Sequence, residues 1–352
     1  MFFSQISIEI TNICNFSCNF CPIGKMQRKR AYMSFETVKR IVDEISELHL
    51  LSSDGHINPY IVGEPLMHPQ ADQIFKYIKS KSLKILLNTN ASLLTSDTIK
   101  FLYDIHIDKI TINLSKNKDE FYMRKPKLSY EEHLGNVTDA VKQHIKRNPS
   151  TELEFLILLH KRDIIKNSVE IQSIMQILDQ IGIESVLFMK DVFAGFRYNF
   201  FRRIQLPFVI RKELVPGVNL AIGVSHSWAG NIGTDYGKVK KAIIGSCNAL
   251  RKDGQIAILA DGTYALCCLD YEGRTRLPFK YEDCNFSKLL NSKEFKRIAS
   301  EFRRCHLPYE FCKCCRGGDT NAKWLVNQLF SCIYYNIPHY KVFRHLANII
   351  TR

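Results

Sequence analysis

The sequence predicts an α/β fold: a partial (β/α)6 barrel of parallel strands with a smaller cysteine-rich C-terminal lobe. Three observations predict it. From the start to about residue 190, strand-like runs alternate with segments of helical period, the pattern of parallel βαβ units. Four of those strands are followed by polar or cysteine-bearing motifs, at the strand ends where such barrels keep their chemistry. The twelve cysteines fall in two groups, three within Cys14–Cys21 and nine from Cys247 onward, with none between.

The strands expected are Phe2–Ile10, Asn58–Val62, Lys84–Asn88, Lys109–Leu114, Glu152–Leu159 and Glu184–Lys190. The first helix expected is Ser34–Leu50, with Ser34 as N-cap and Val38, Ile41, Val42, Ile45 and Leu48 on one face. Burying each of these side chains is worth about 1.5–3 kcal/mol before entropy is subtracted. Further helices are expected over Ala71–Lys79, Ser96–Tyr103, Tyr130–Lys146 and Asn167–Ile181. Residues 191–246, where Phe193, Phe196, Phe200 and Phe201 mix with Gly195, Pro207 and Pro216, read as a connecting and capping segment. The expected organisation is a barrel over 1–190, that connection, a second cysteine domain over 247–315 and a helical basic tail over 316–352.

Composition bounds the class. Apolar residues are 45% and charged residues 24%, as in ordinary globular proteins. No run approaches the roughly 18 apolar residues of a membrane span. The start, MFFSQISIEI, lacks a basic n-region and a cleavage site, so a cytoplasmic location is expected. There, closely spaced thiols hold metal more often than they form disulfides. The net charge of +14 admits an acidic partner or an anionic substrate, although a lysine-rich solvated surface is the plainer reading. Leu325, Leu329 and Ile333 make an apolar stripe at helical spacing in the tail. It admits peripheral contact with a membrane surface, while packing on its own protein is the commoner outcome.

Cys14, Cys18 and Cys21 stand as C-x3-C-x2-C. Three thiolates on one short loop can hold three irons of a cubane, and the missing fourth leaves one iron open to a ligand. Structural zinc asks for four protein ligands, and no His or Cys follows until His49.

This motif, with the aromatic Phe20 before its third cysteine and its place after the first strand, resembles the radical S-adenosylmethionine (SAM) superfamily. The resemblance implies a 4Fe–4S cluster on Cys14, Cys18 and Cys21, with SAM chelating the open iron. It implies cleavage to methionine and a 5′-deoxyadenosyl radical that abstracts hydrogen from a substrate, fed by an external low-potential electron donor. Val62-Gly63-Glu64-Pro65 resembles the family's Gly-Gly-Glu-Pro turn, with valine for the first glycine, which implies contact of Gly63, Glu64 and Pro65 with the methionine amino group. Asn88-Thr89-Asn90 resembles its Thr-Asn-Gly segment, with Ala91 where glycine is usual, implying a cofactor contact at Asn90. Ser115 stands where the family places a ribose-contacting group, and Arg124 where a basic residue can meet the carboxylate.

In the second group, Asp261-Gly262-Thr263-Tyr264 reads as a hairpin turn leading toward Cys267, and Cys312 with Cys315 forms C-x2-C. Four thiolates suit an iron–sulfur cluster or zinc. Cys247, Gly262 and Cys267 resemble the opening of the SPASM or twitch extension of radical SAM enzymes, and Cys267-Cys268-x-Asp270 resembles its continuation. The full two-cluster spacing is not met. The resemblance therefore implies one auxiliary 4Fe–4S cluster on Cys247, Cys267, Cys312 and Cys315, with Cys268 or Cys314 as substitutes. Cys284, Cys305 and Cys332 read as ordinary buried thiols. The implied function is net oxidation or modification of a sugar, cyclitol or peptide. The competing reading is a non-catalytic, metal-stabilised protein that binds nucleic acid through its basic surface.

Overall fold

The computed structural model describes residues 2–147, 149–159, 168–183, 209–224, 228, 239–318 and 320–336. Its centre is a nine-stranded sheet. The strands are β1 (Phe3–Ile8), β2 (Leu51–Asn58), β3 (Lys84–Thr89), β4 (Lys109–Asn113), β5 (Glu152–Leu159), β6 (Val209–Val215), β7 (Val218–Val224), β8 (Gly254–Ile258) and β9 (Tyr264–Ala265). Their spatial order is β6-β7-β5-β4-β3-β2-β1-β8-β9, so the sheet is open, with β6 and β9 at its edges. The seven strands from β7 to β8 run parallel; only the two outer strands are antiparallel to their neighbours.

Helices α1 (Phe35–Glu47), α2 (Ala71–Ser80), α3 (Ser96–Asp104), α4 (Lys118–Met123), α5 (Tyr130–Arg147) and α6 (Ser168–Gln180) belong to the barrel part. Ser34 caps α1 by accepting from the Thr37 N–H, as its position predicts. Val38, Ile41, Val42 and Ile45 of α1 share one core with Ile6, Ile8, Ile57, Ile85, Ile110, Ile112 and Phe155 of the strands. Alternation then turns the intervening strand residues to the other, concave face. That face is polar: Ser7, Glu9, Asn58, Thr111 and Glu154 are all buried there.

Two expectations are corrected. The second strand is Leu51–Asn58 and not Asn58–Val62. Its polar run Ser52-Ser53-Asp54 does not read as a strand: it lies in an irregularity where the β1 register jumps from Leu51 to His56, and β3 pairs only with His56 and Ile57. The segment read as a connection contributes β6 and β7, and β7 lies parallel to β5. The hairpin between them turns at Pro216-Gly217. Gly217 has φ +77°, and a Cβ there would come within 2.8 Å of His144 Nε2. Glu154 of β5 accepts from Lys109 Nζ and from Arg211 Nε of β6, both at 2.8 Å, which ties the hairpin to the barrel. The expected strand Glu184–Lys190, Phe193, Phe196, Phe200, Phe201, Gly195 and Pro207 lie outside the described residues.

The C-terminal lobe is not a detached unit, because β8 pairs along the whole of β1. It adds α7 (Phe286–Asn291), α8 (Lys293–Arg303), α9 (Glu310–Cys315) and α10 (Asn321–Asn336). Leu325, Leu329 and Ile333 are exposed on α10. Among the described residues no helix is long and apolar enough to cross a membrane.

Candidate active site

The loop after β1 folds back on itself through one side chain. Asn12 Nδ2 donates to the Lys29 carbonyl at 2.9 Å, and Asn12 Oδ1 accepts from Ala31 N at 2.8 Å. Arg30 donates to the Asn12 and Ile23 carbonyls at 2.8 and 2.6 Å. The enclosed segment carries Cys14, Cys18 and Cys21. Each thiol senses another of the three: Cys14 feels Cys18, Cys18 feels Cys21, and Cys21 feels Cys14. Burial pushes all three up, to about 11, 12 and 11, with these neighbours adding to it. A metal bound here would have to displace these protons.

The second strand end closes on this loop. Gly63 has φ +91°, and a Cβ would meet Thr11 O at 2.6 Å. Glu64 N donates to Ile13 O at 2.8 Å. The Glu64 carboxylate turns away, accepting from Thr89 Oγ1 and Asn90 N, each at 2.8 Å, and from Leu66 N at 3.3 Å. Burial still pushes its carboxyl up to about 7. Glu64 thus joins the ends of β2 and β3, and Pro65 begins the short turn Pro65–Met67 beyond it. Asn90 Nδ2 donates to Asn15 Oδ1 at 3.0 Å and lies 3.7 Å from Cys14 Sγ. Ala91 sits at φ +60°, the left-handed conformation that explains why glycine suits this position.

Arg124, 4% exposed, follows α4. It donates to the Asn113 and Leu114 carbonyls at 2.8 and 3.1 Å and meets Glu120 at 3.2 Å. Its guanidinium lies 5.3 Å from the Phe20 ring centroid, and its charge acts on the Cys18 thiol. Among the described residues its buried Nε has no partner, and neither has the Oγ of the fully buried Ser115.

The structure therefore gathers Cys14, Cys18, Cys21, Phe20, Gly63, Glu64, Asn90 and Arg124 around the carboxyl ends of β1, β2 and β3. Ser115 stands beyond the end of β4. Asn15 joins the constellation without a signal that marks it in the sequence, and Thr89, inside the Asn88-Thr89-Asn90 segment, joins it through Glu64.

Beneath it, Phe16 meets Phe121 edge to face at 6.0 Å, and His133 stacks on Phe121 at 4.8 Å. His133 is 1% exposed, and neither ring nitrogen has a hydrogen-bond partner among the described residues. Burial, then the Arg124 charge, lowers its pKa to about 4 from the ordinary 6.5. The folded imidazole is neutral, so its contribution to stability is full above pH 6.5 and is lost as pH falls toward 4. A gap of that size corresponds to about 3 kcal/mol. His133→Phe keeps the stack and removes the titration. The metal-free variant is expected to resist urea better than the parent at pH 5, and an unchanged acid sensitivity would place the titration elsewhere.

The second group of thiols assembles from three segments. The hairpin turn at Asp261-Gly262 forms as predicted, with Thr263 N donating to Asp261 Oδ1 at 3.1 Å. It leads through β9 to Cys267 and Cys268, while α9 carries Cys312 and Cys315. Cys267 senses Cys247 and Cys315, Cys312 senses Cys247 and Cys315, and burial pushes both well up. Arg316 places its charge beside Cys247 and Cys315. The neighbouring Cys268 thiol contacts Gln255 Oε1 at 3.8 Å and also bonds Gln5. Asp270 is spent within its own turn, accepting from Arg274 N, Thr275 N and Thr275 Oγ1. Among the described residues no three His, Cys, Asp or Glu side chains are arranged to hold a single metal ion.

The site is thus a three-thiol loop that follows the first strand of an open, largely parallel sheet. Residues 8–166 match the model of the Radical SAM superfamily, and this segment is a radical SAM domain. Over 110 residues the chain is 24% identical to the tungsten-containing aldehyde ferredoxin oxidoreductase cofactor-modifying protein of Pyrococcus furiosus, covering 30% of this chain and 29% of that protein. The chain spans less than half the length of the first curated relatives it matches. Among solved structures, BtrN in complex with AdoMet and 2-DOIA superposes with a TM-score of 0.51 at 15% identity, covering 89% of this chain and 92% of BtrN. Streptococcus suis SuiB bound to the precursor peptide SuiA gives 0.54 at 12% identity, covering 90% of this chain and 72% of SuiB. The fold is shared with both.

Proposed function

We propose that this chain is a radical SAM enzyme that oxidises or otherwise modifies a hydrogen-bonding substrate held on the concave face of the sheet. The observation that carries the reading is the three-thiol loop at the end of β1, flanked by the partnerless buried atoms Ser115 Oγ and Arg124 Nε. Cys14, Cys18 and Cys21 would hold a 4Fe–4S cluster with one open iron. Bound there, the cluster and SAM supply reductive cleavage of the cofactor and a hydrogen-abstracting 5′-deoxyadenosyl radical. The residues around them bind and orient. Gly63 lets the β2 turn approach the loop, Glu64 fixes the Asn90 backbone, and Asn90 stands over Cys14. Phe20 and Arg124 wall the site on the Cys18 side, with Ser115 and Arg124 Nε free to meet polar cofactor groups.

An auxiliary 4Fe–4S cluster on Cys247, Cys267, Cys312 and Cys315 is part of the proposal. With Arg316 beside it, that site offers a charge-balanced acceptor for a second electron or an anchor for substrate. An external low-potential donor supplies the first electron.

The concave face supports a substrate rich in hydrogen-bonding groups. Asn113 Nδ2 donates to Asn88 Oδ1 at 2.5 Å, Tyr60 bonds Asn88, and the buried Asn58 Oδ1 has no partner among the described residues. BtrN was crystallised with AdoMet and 2-DOIA, and SuiB with a precursor peptide; both kinds of substrate belong to the proposal. The family match and shared fold favour this reading over metal-stabilised nucleic-acid binding.

The test is anaerobic incubation of the reconstituted protein with SAM and dithionite. Formation of 5′-deoxyadenosine is expected, while stoichiometric zinc without iron would end the radical reading. Gly63→Ala should retain iron near the parent's content and lose most cofactor cleavage, because the added Cβ pushes the turn off the loop. Full activity in that variant would put the methionine site elsewhere.

A further inference from the structure

Two cysteines read from the sequence as ordinary buried thiols meet in the structure. Cys305 follows the last turn of α8, where its N–H closes on Phe302 O at 3.2 Å. Its φ is +58°, so a cysteine occupies a left-handed helix-ending position that usually falls to glycine. The consequence is where the thiol goes. Cys305 Sγ accepts from Asn336 Nδ2 of α10 at 3.1 Å. Cys332 lies one helical turn before Asn336 on the same face, and its thiol is hydrogen-bonded to Cys305.

The surroundings hold the two elements in this register. Ser246 N donates to Ser331 Oγ at 3.1 Å, Ser246 Oγ donates to Phe302 O at 2.7 Å, and Gly245 N donates to Cys305 O at 2.9 Å. Arg251 bonds both Ser246 Oγ and the Tyr335 carbonyl. The end of α8 and the middle of α10 are thus fixed to one strand-like segment, with the two sulfurs between them. With Asn336 bonded to Cys305 Sγ and Cys332 one turn earlier on the same helix, the two thiols face each other across the α8–α10 junction, as the short reach of a disulfide requires.

We propose that Cys305 and Cys332 are a redox-active dithiol that closes to a disulfide, stapling α10 to the end of α8. The closed loop contains Cys312 and Cys315, so the staple sets the freedom of the segment that brings those thiols to Cys247 and Cys267. The oxidant is a low-molecular-weight disulfide, R–S–S–R. One protein thiolate attacks it, forming a mixed disulfide and releasing R–S⁻. The second attacks the protein sulfur of that mixed disulfide, forming the Cys305–Cys332 bond and releasing a second R–S⁻. Two thiol protons pass to the two leaving thiolates, and one electron pair reduces R–S–S–R to two R–SH. The dithiol proposal stands on this geometry alone and does not depend on radical chemistry elsewhere in the chain.

The experiment uses the full-length, iron-loaded protein under anaerobic conditions, equilibrated with oxidised or reduced glutathione. Samples are denatured in alkylating reagent, digested and analysed by mass spectrometry. In oxidised glutathione the Cys305 and Cys332 peptides are expected as a linked pair, with iron content unchanged, and reduced glutathione should restore alkylation of both. Cys305→Ser and Cys332→Ser should each retain iron and carry a glutathione adduct on the remaining thiol. Continued alkylation of both cysteines in oxidised glutathione would overturn the proposal, as would a persistent adduct without a cross-link in the parent protein. Loss of about half the iron in either soluble variant would also overturn it, by making the pair cluster ligands. The parent protein's two arms decide the matter even where a variant fails to fold.

Discussion

Replacing Cys14, Cys18 and Cys21 together by alanine is expected to lower bound iron from about eight to about four per chain and to abolish 5′-deoxyadenosine formation. The size of the effect follows from where the ligands lie. All three thiols belong to one loop, and no fourth protein thiol is there to retain a partial cluster. The loop itself should survive, because its closure rests on Asn12, Arg30 and the Gly63 turn, none of which is altered. Cys247, Cys267, Cys312 and Cys315, the proposed ligands of the second cluster, come from other segments and are expected to keep its irons. Iron analysis, visible absorbance and chromatography of the cofactor products measure the three consequences separately. If the triple variant kept all its iron, the first site would not be a cluster site, and cleavage activity in it would reject the assignment outright.

Much of this architecture was legible because the barrel's outer face obeys simple periodicity. Ile6, Ile8, Ile110, Ile112, Leu153 and Phe155 alternate along their strands, and α1, α2, α3 and α5 answer with apolar residues at helical spacing. The inner face obeys a different rule, and polar residues line it. The first half of β2 is exposed at Ser53 and Asp54 and has no apolar alternation, so the strand sits just upstream of the one expected. The hairpin β6–β7 was obscured by aromatic and proline residues on its flanks, although Pro216-Gly217 is a turn signal. At the site, cysteine spacing singled out Cys14, Cys18 and Cys21 as candidate ligands, because three thiols on one short loop are a local feature that sequence records. Long-range partners leave no such record. The Glu64 bonds to Thr89 and Asn90 and the meeting of Cys305 with Cys332 depend on how distant strands and helices pack.

The joint between the two cysteine regions belongs to that second kind. Glu9, fully buried after β1, forms a two-pronged pair with Arg28 at 2.8 Å on both sides, and accepts from Ala260 N at 2.8 Å. Arg28 also donates to the Tyr271 carbonyl, and Gln27 N donates to Glu272 Oε1 at 2.8 Å. One buried ion pair thus holds the loop that follows Cys21 against the lobe that contains Cys267. Removing either partner alone would leave a buried charge uncompensated, at a cost of about 3–5 kcal/mol. The two sites are therefore separate in their ligands and joined in their mechanics.

That joint sets the terms of the second large effect. Cys312→Ala is expected to lose about half the bound iron, to retain S-adenosylmethionine cleavage, and to lose nearly all product formation on the true substrate. Cleavage survives because Cys14, Cys18 and Cys21 and their supports on β2 and β3 are untouched. Product is expected to fail because the proposed second site would accept an electron or hold the substrate, and cofactor cleavage needs neither. A four-thiolate centre also staples its lobe, and its loss can loosen α9 and the segments around it. If that loosening passed through Tyr271 and Glu272 to Arg28, cofactor binding would weaken as well. Binding of S-adenosylmethionine to a soluble, monodisperse Cys312→Ala protein therefore serves as the control, followed by cleavage and then turnover. Retained binding and cleavage with collapsed turnover is the pattern expected of an auxiliary cluster. Turnover at the parent's rate would make the second centre purely structural and zinc its natural occupant.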